Sequence, residues 1–234
     1  MSADAAGLPA RLATIRERIT EACRKSGRSE SDVILVGASK VQPLPVLQAA
    51  FEAGLRVFGE NRVQEGLAKA AELPPEIEWH LIGPLQSNKV RAALGLFRTI
   101  HSIDRVKIAE AVDKEAGTRG IAVQGFLEIN VGEEESKHGF SPQGLAEAVR
   151  PLADLRSLRI VGLMAIPPQG DDPEESRPWF RKLRELRDDL AARPEWKGFP
   201  GLLSMGMSDD FAVAVEEGAT HVRVGTALFG RREA

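Results

Sequence analysis

Apolar and polar positions along this chain follow two alternating periods. Over residues 8–24 the apolar side chains Leu8, Leu12, Ile15, Ile19, Ala22 and Cys23 recur at helical spacing with charges between them, which predicts an amphipathic helix. The run Val33-Ile34-Leu35-Val36-Gly37 is short, apolar and β-branched, and it predicts a strand covered on both faces. Similar runs follow at 56–59, 78–82, 97–101, 122–129, 158–164, 201–204 and 221–224, making eight in all. Helical patterns separate them at 44–53, 62–73, 106–116, 142–152, 174–192 and 208–217.

Strict alternation of this kind predicts an α/β fold, a (β/α)8 TIM barrel with an added N-terminal helix; an open doubly wound sheet is the alternative. The turn-rich stretch 167–173 reads as one loop after the sixth strand, so residues 1–234 are expected to form a single barrel domain, with residues 1–30 as a helical extension packed on it.

Charge narrows the function classes. Lys and Arg number 31 against 34 Asp and Glu, a formal net charge of -3, so no cationic field exists to hold nucleic acid or anionic lipid. Cys23 is the single cysteine, which forbids an internal disulfide or a thiolate metal cluster and fits a reducing, cytoplasmic compartment. No apolar run approaches the roughly 20 residues of a membrane span, and Arg11, Arg16, Glu17, Arg18 and Glu21 break up the start of the chain, so neither a span nor a secretory signal is expected. Tyrosine is absent.

In a parallel barrel the chemistry collects where strands end. Lys40 follows the first strand, Glu60 and Asn61 the second, Glu128 and Asn130 the fifth, Ser204 the seventh, and Arg223 with Gly225-Thr226 the eighth, while His80 lies within the third. The loops after strands seven and eight suit an anion, expected at Ser204 and at Gly225-Thr226; the alternative is plain capping by Ser208 of a helix beginning Asp209-Asp210. A lysine opposite such a site can condense with an aldehyde whose phosphate tail is anchored across the mouth, which points to pyridoxal 5′-phosphate (PLP). Arg223 then reaches the pyridine nitrogen, and as a donor-only group it keeps that nitrogen unprotonated; the alternative is a pairing with Glu216 or Glu217.

Five motifs carry a family resemblance: Val36-Gly37-Ala38-Ser39-Lys40, Phe58-Gly59-Glu60-Asn61-Arg62-Val63-Gln64-Glu65, Trp79-His80-Leu81-Ile82-Gly83-Pro84-Leu85-Gln86-Ser87-Asn88-Lys89, Leu203-Ser204-Met205-Gly206-Met207-Ser208-Asp209-Asp210-Phe211 and Val222-Arg223-Val224-Gly225-Thr226-Ala227-Leu228-Phe229-Gly230. Together they resemble the pyridoxal phosphate homeostasis (YggS/PROSC) family. The resemblance implies a barrel similar to the N-terminal domain of alanine racemase without that enzyme's second domain. It implies an internal aldimine on Lys40, phosphate contacts from Ser204, Gly225 and Thr226, Arg223 at the pyridine nitrogen, and a monomer. Asn61 would hydrogen-bond the ring hydroxyl or pack beside it, and His80 would sit under the ring or serve as a satisfied core histidine. Lys137 would guide the anionic ligand or remain a solvated loop residue. Val41 departs from relatives that carry a polar or basic residue there.

The function expected from this is PLP binding, with shielding of the aldehyde and delivery of the cofactor to, or buffering for, PLP-dependent apo-enzymes. A slow amino-acid racemase or lyase is the alternative, weakened because two-base racemisation needs a proton carrier on each ring face and the chain has no tyrosine. A ligand-free scaffold is the third. No phosphate-loop, His-Glu-x-x-His or Cys-x-x-Cys motif supports nucleotide hydrolysis or zinc chemistry.

Overall fold

Eight parallel strands close on themselves in sequence order. They are β1 (Ile34–Ala38), β2 (Val57–Glu60), β3 (Glu78–Leu81), β4 (Thr99–Ile103), β5 (Val123–Glu128), β6 (Leu158–Met164), β7 (Leu202–Ser204) and β8 (His221–Val224). The computed structural model describes residues 7–134, 138–168 and 170–230. Around the barrel lie α1 (Leu8–Lys25), α2 (Leu44–Glu52), α3 (Val63–Ala70), α4 (Val90–Ala93), α5 (Val106–Arg119), α6 (Pro142–Ala153), α7 (Arg177–Ala191), α8 (Phe211–Glu216) and α9 (Thr226–Phe229). The closed ring decides against the open sheet.

Most boundaries fall within two residues of the sequence expectation, and the shifts have local causes. β4 begins at Thr99 rather than at Phe97, because Phe97 is buried in the helix layer and the Arg98 guanidinium donates to the Leu94 and Phe97 carbonyls that follow α4. α4 and the 3-10 turn Ser87–Lys89 before it were not anticipated: one turn of helix is too short for a period to show. The helix expected over 174–192 opens with a 3-10 turn, Pro173–Ser176, before α7.

The main core lies between the strands and the helices. α1 buries Leu8, Leu12, Ile15, Ile19, Ala22 and Cys23, the face read from the sequence. The helix after β8, α9, has only four residues, and α1 packs beside it against α8 and α2, occupying the place in the ring that α9 is too short to fill. Arg11 Nε donates to the Leu228 carbonyl at 2.7 Å, and Arg28 donates to the carbonyls of Val215 and Ala219 at 2.9 and 2.8 Å. α1 is therefore part of the barrel wall. At the start of β6, Asp113 Oδ1 accepts the N–H groups of Arg156, Ser157 and Leu158 at 2.8, 2.6 and 2.9 Å, which fixes the strand's entry against α5. Among the described residues no helix is long and apolar enough to cross a membrane.

Inside the ring the filling is unusual. Barrels of this type pack branched aliphatic layers, yet here Phe126, Val161 and Met164 form only a small apolar cluster. The rest of the space holds His80, His101, His221, Ser204 and Arg223, all buried.

Candidate functional site

Three adjacent strands carry the chemistry at the C-terminal mouth. β8 pairs with β1, with Arg223 beside Val36, and β1 pairs with β2. A Cβ on Gly225 would stand 3.5 Å from that of Ala38, so the turn after β8 runs beside the end of β1, two residues before Lys40. Lys40 is exposed, and among the described residues no carboxylate pairs with its ammonium. Asn61 follows β2 and is half-buried, and Gly83 packs so closely on it that a Cβ there would lie 2.4 Å from the Asn61 carbonyl oxygen. Asn61 lines a groove with Arg62, Lys89, Asp104, Arg105 and His138 beside the mouth.

The loops after β7 and β8 are joined by a different serine from the one expected at the anion. Ser208 Oγ accepts the N–H groups of Gly225 and Ala227 at 3.3 and 3.1 Å, bridging the loop after β7 to the start of α9. It caps nothing on α8, which starts at Phe211. The Asp210 carboxylate, whose charge would oppose an anion, is turned to the Met207 N–H at 2.7 Å and the Ser176 hydroxyl at 2.9 Å. Ser204 lies deeper, fully buried, with its hydroxyl committed to the barrel interior. The side chain at a strand's last residue points into the ring or over its rim according to strand parity, which the sequence did not settle, and here it points into the ring.

Arg223 is buried in the wall beneath this arc. It donates to the Ser204 carbonyl at 2.8 Å, to Ser204 Oγ at 2.6 Å and to the Ala165 carbonyl at 3.0 Å. A guanidinium has five N–H groups, so donors remain uncommitted. Burial pulls it down to about 10, and Glu128 and Asp210 oppose that shift, so it is a cation at neutral pH. Glu216 and Glu217, the alternative partners, pair instead with Lys25, Arg177, Arg181 and Arg184. Across the mouth, Glu128 at the end of β5 has its carboxyl pushed up by burial and by the Asp104 carboxylate.

Behind Arg223 a hydrogen-bonded chain crosses the barrel. Arg223 only donates, so Ser204 Oγ accepts from it at 2.6 Å, and the same hydroxyl hydrogen-bonds His101 Nδ1 at 2.7 Å. His101 Nε2 hydrogen-bonds His80 Nδ1 at 2.9 Å. His80 Nε2 in turn donates to Glu78 Oε1 at 2.9 Å, at the opposite face of the barrel, where the Glu78 side chain is 62% exposed. Burial and the neighbouring His80 hold His101 well below the usual histidine range. His221, with its ring 4.9 Å from Phe126 and Nδ1 2.9 Å from the Thr220 hydroxyl, is pulled down to about 3, chiefly by burial. His80 is thus the satisfied core histidine of the two readings. His221 escaped notice because its ring partners His101 and Phe126 lie on other strands. Lys137 lies outside the described residues.

The donor set can be tested against PLP. The aldehyde and the phosphate arm of PLP sit on neighbouring ring carbons, with the ring nitrogen across from the aldehyde. An amine and an anion cradle on adjacent strands, with a guanidinium deeper in the wall, match that order better than the opposed arrangement expected from the sequence. The residues present fit the group. Among the described residues no cluster of His, Cys, Asp or Glu could hold a metal ion.

The family model described as alanine racemase, N-terminal domain, matches residues 11–233. Pyridoxal phosphate homeostasis proteins of Aquifex aeolicus and Escherichia coli K12 are 47% and 37% identical, covering 95% of this chain in each case and 97% and 95% of theirs. PipY of Synechococcus elongatus, solved with PLP bound, is 38% identical with a TM-score of 0.82, over 95% of this chain and all of that one. The alanine racemase of Corynebacterium glutamicum, at 15% identity and a TM-score of 0.69 over 95% of this chain and 62% of that one, shares the fold.

Proposed function

Because the chain belongs to the pyridoxal phosphate homeostasis protein family, we propose that it binds PLP at the mouth formed by β8, β1 and β2 and takes part in PLP homeostasis. The observation that carries this reading is the convergence of an exposed amine, a serine-braced turn at Gly225–Ala227 and a buried guanidinium on adjacent strands. PLP supplies an aldehyde that an amine can bond and later release without a redox step.

Each residue has a distinct task. Lys40 Nζ is the amine that forms the covalent link. Thr226 offers its backbone N–H to the phosphate, and Ser208, whose oxygen accepts the Gly225 and Ala227 N–H groups, keeps its own O–H proton to donate; Ser204 acts one layer below, bracing Arg223. Arg223 meets the ring nitrogen with N–H groups only, which keeps that nitrogen unprotonated and makes the site poor at stabilising a carbanion. Asn61 flanks the ring from β2. Holding and handing over the cofactor, with PLP-dependent apo-enzymes as recipients, follows from a site that binds the aldehyde reversibly and supports little further chemistry.

The test is retention. Ligand-free protein mixed with PLP and passed through gel filtration should emerge yellow, with the coenzyme recovered by mass spectrometry in the protein fraction. A colourless protein free of PLP would sink the reading.

A further inference from the structure

Lys40 sits on a turn that should not be comfortable. The Gln42 N–H donates to the Ser39 carbonyl at 3.0 Å, closing a four-residue turn over Lys40 and Val41. Val41, its third residue, has φ +61°. A turn with positive φ at that place calls for Gly or Asn, and a β-branched side chain there is a genuine outlier. Val41 is 67% exposed, so packing of its side chain does not explain the conformation.

What holds the turn is a cluster of ions behind it. Lys69, on α3 and nearly buried, spends its three N–H groups on the Ser39 carbonyl, Glu60 Oε1 and Glu65 Oε1, each at 2.7 Å. Glu65 Oε1 also accepts the Val41 N–H at 2.6 Å, and Ser39 Oγ donates to Glu60 Oε1 at 2.6 Å. Both peptide groups that flank Lys40 are therefore pinned: the one before it through the Ser39 carbonyl, the one after it through the Val41 N–H. The lysine side chain is free while its backbone is fixed. An outlier held by surrounding contacts beside a reactive group is the pattern in which local strain serves function.

We propose that Glu65, braced by Lys69, is a positioning residue for Lys40: it clamps the strained Lys40–Val41 turn so that the amine is presented to PLP from a rigid backbone. The proposal rests on Lys40 being the attachment point. Glu60 is fully buried beside Lys69, so removing Lys69 would strand a carboxylate and endanger folding. Glu65 is partly exposed, and its removal leaves the Glu60–Lys69 pair intact.

The experiment compares Glu65→Ala, Glu65→Gln and the double variant Glu65→Ala with Val41→Gly. Amide exchange at Val41 is followed in the PLP-free full chain, and PLP affinity is measured by visible titration. Glu65→Ala should speed Val41 exchange and weaken PLP binding about tenfold, the scale set by the cost of a left-handed conformation for a non-glycine residue. Glu65→Gln keeps an oxygen for the Val41 N–H and should stay within about threefold of wild type. Val41→Gly removes the Cβ conflict, so in the Glu65→Ala background it should recover most of the lost affinity. Glu65→Ala binding within about twofold of wild type, or failure of Val41→Gly to recover affinity, would overturn the proposal. Should wild-type protein take up no PLP at all, the functional reading fails, whereas unchanged Val41 exchange in Glu65→Ala refutes the clamp itself.

Discussion

Lys40→Ala abolishes the yellow absorbance of the PLP-bound protein and converts retained coenzyme into coenzyme that washes away. Without the amine, the phosphate is left with neutral donors such as the Thr226 N–H and the hydroxyl of Ser208, whose oxygen is braced by Gly225 and Ala227. Hydrogen bonds to a charged group contribute about 1.5–3 kcal/mol each, so two give about 3–6 kcal/mol. After the cost of immobilising the ligand, that corresponds to a dissociation constant of about a millimolar or weaker. The lysine is exposed and pairs with no carboxylate among the described residues, so ligand-free Lys40→Ala should unfold at the wild-type temperature. A variant that keeps both its colour and its PLP through gel filtration would show that the amine lies elsewhere.

Acid should destabilise this protein earlier than carboxylates alone would dictate. His101 and His221 are held neutral in the folded barrel, the second down to about 3, whereas in the unfolded chain both titrate near 6.5. As pH falls below that value the unfolded chain takes up protons that the folded one refuses. Each histidine's contribution is complete above pH ~6.5 and is lost at about 1.4 kcal/mol per pH unit below it. Glu60 and Glu128, whose carboxyls burial raises, act in the opposite sense, stabilising the folded state once they protonate. A single substitution separates these effects. His221→Leu keeps the interior apolar beside Phe126 and leaves the Thr220 hydroxyl its bond to the Leu203 carbonyl. Urea unfolding at pH 7.5 and pH 5 should show the variant gaining about 2 kcal/mol on wild type between the two conditions. Parallel losses in the two proteins would mean that His221 titrates normally in the fold.

Much of the fold was legible because each strand is buried on both faces and separated from the next by a helical period. α1, β6 and β8 could be read almost to the residue. The short α4 could not, since four residues carry no period. The places of Lys40, Arg223 and the Gly225 turn at strand ends were legible. The inward direction of the Ser204 hydroxyl was not legible, because strand parity, and not residue type, decides whether a hydroxyl faces the mouth or the interior. Glu65 and Lys69 have the i,i+4 spacing of an ordinary surface pair, and nothing in that spacing reveals that Lys69 folds inward to the Ser39 carbonyl. The cross-barrel chain from Arg223 to Glu78 joins β8, β7, β4 and β3, and pairings of that range are set by closure of the ring.

The most direct test is borohydride reduction of the PLP-loaded protein followed by peptide mapping. The account predicts a single stable PLP adduct, on the peptide containing Lys40. An adduct on any other lysine, Lys137 included, would contradict it.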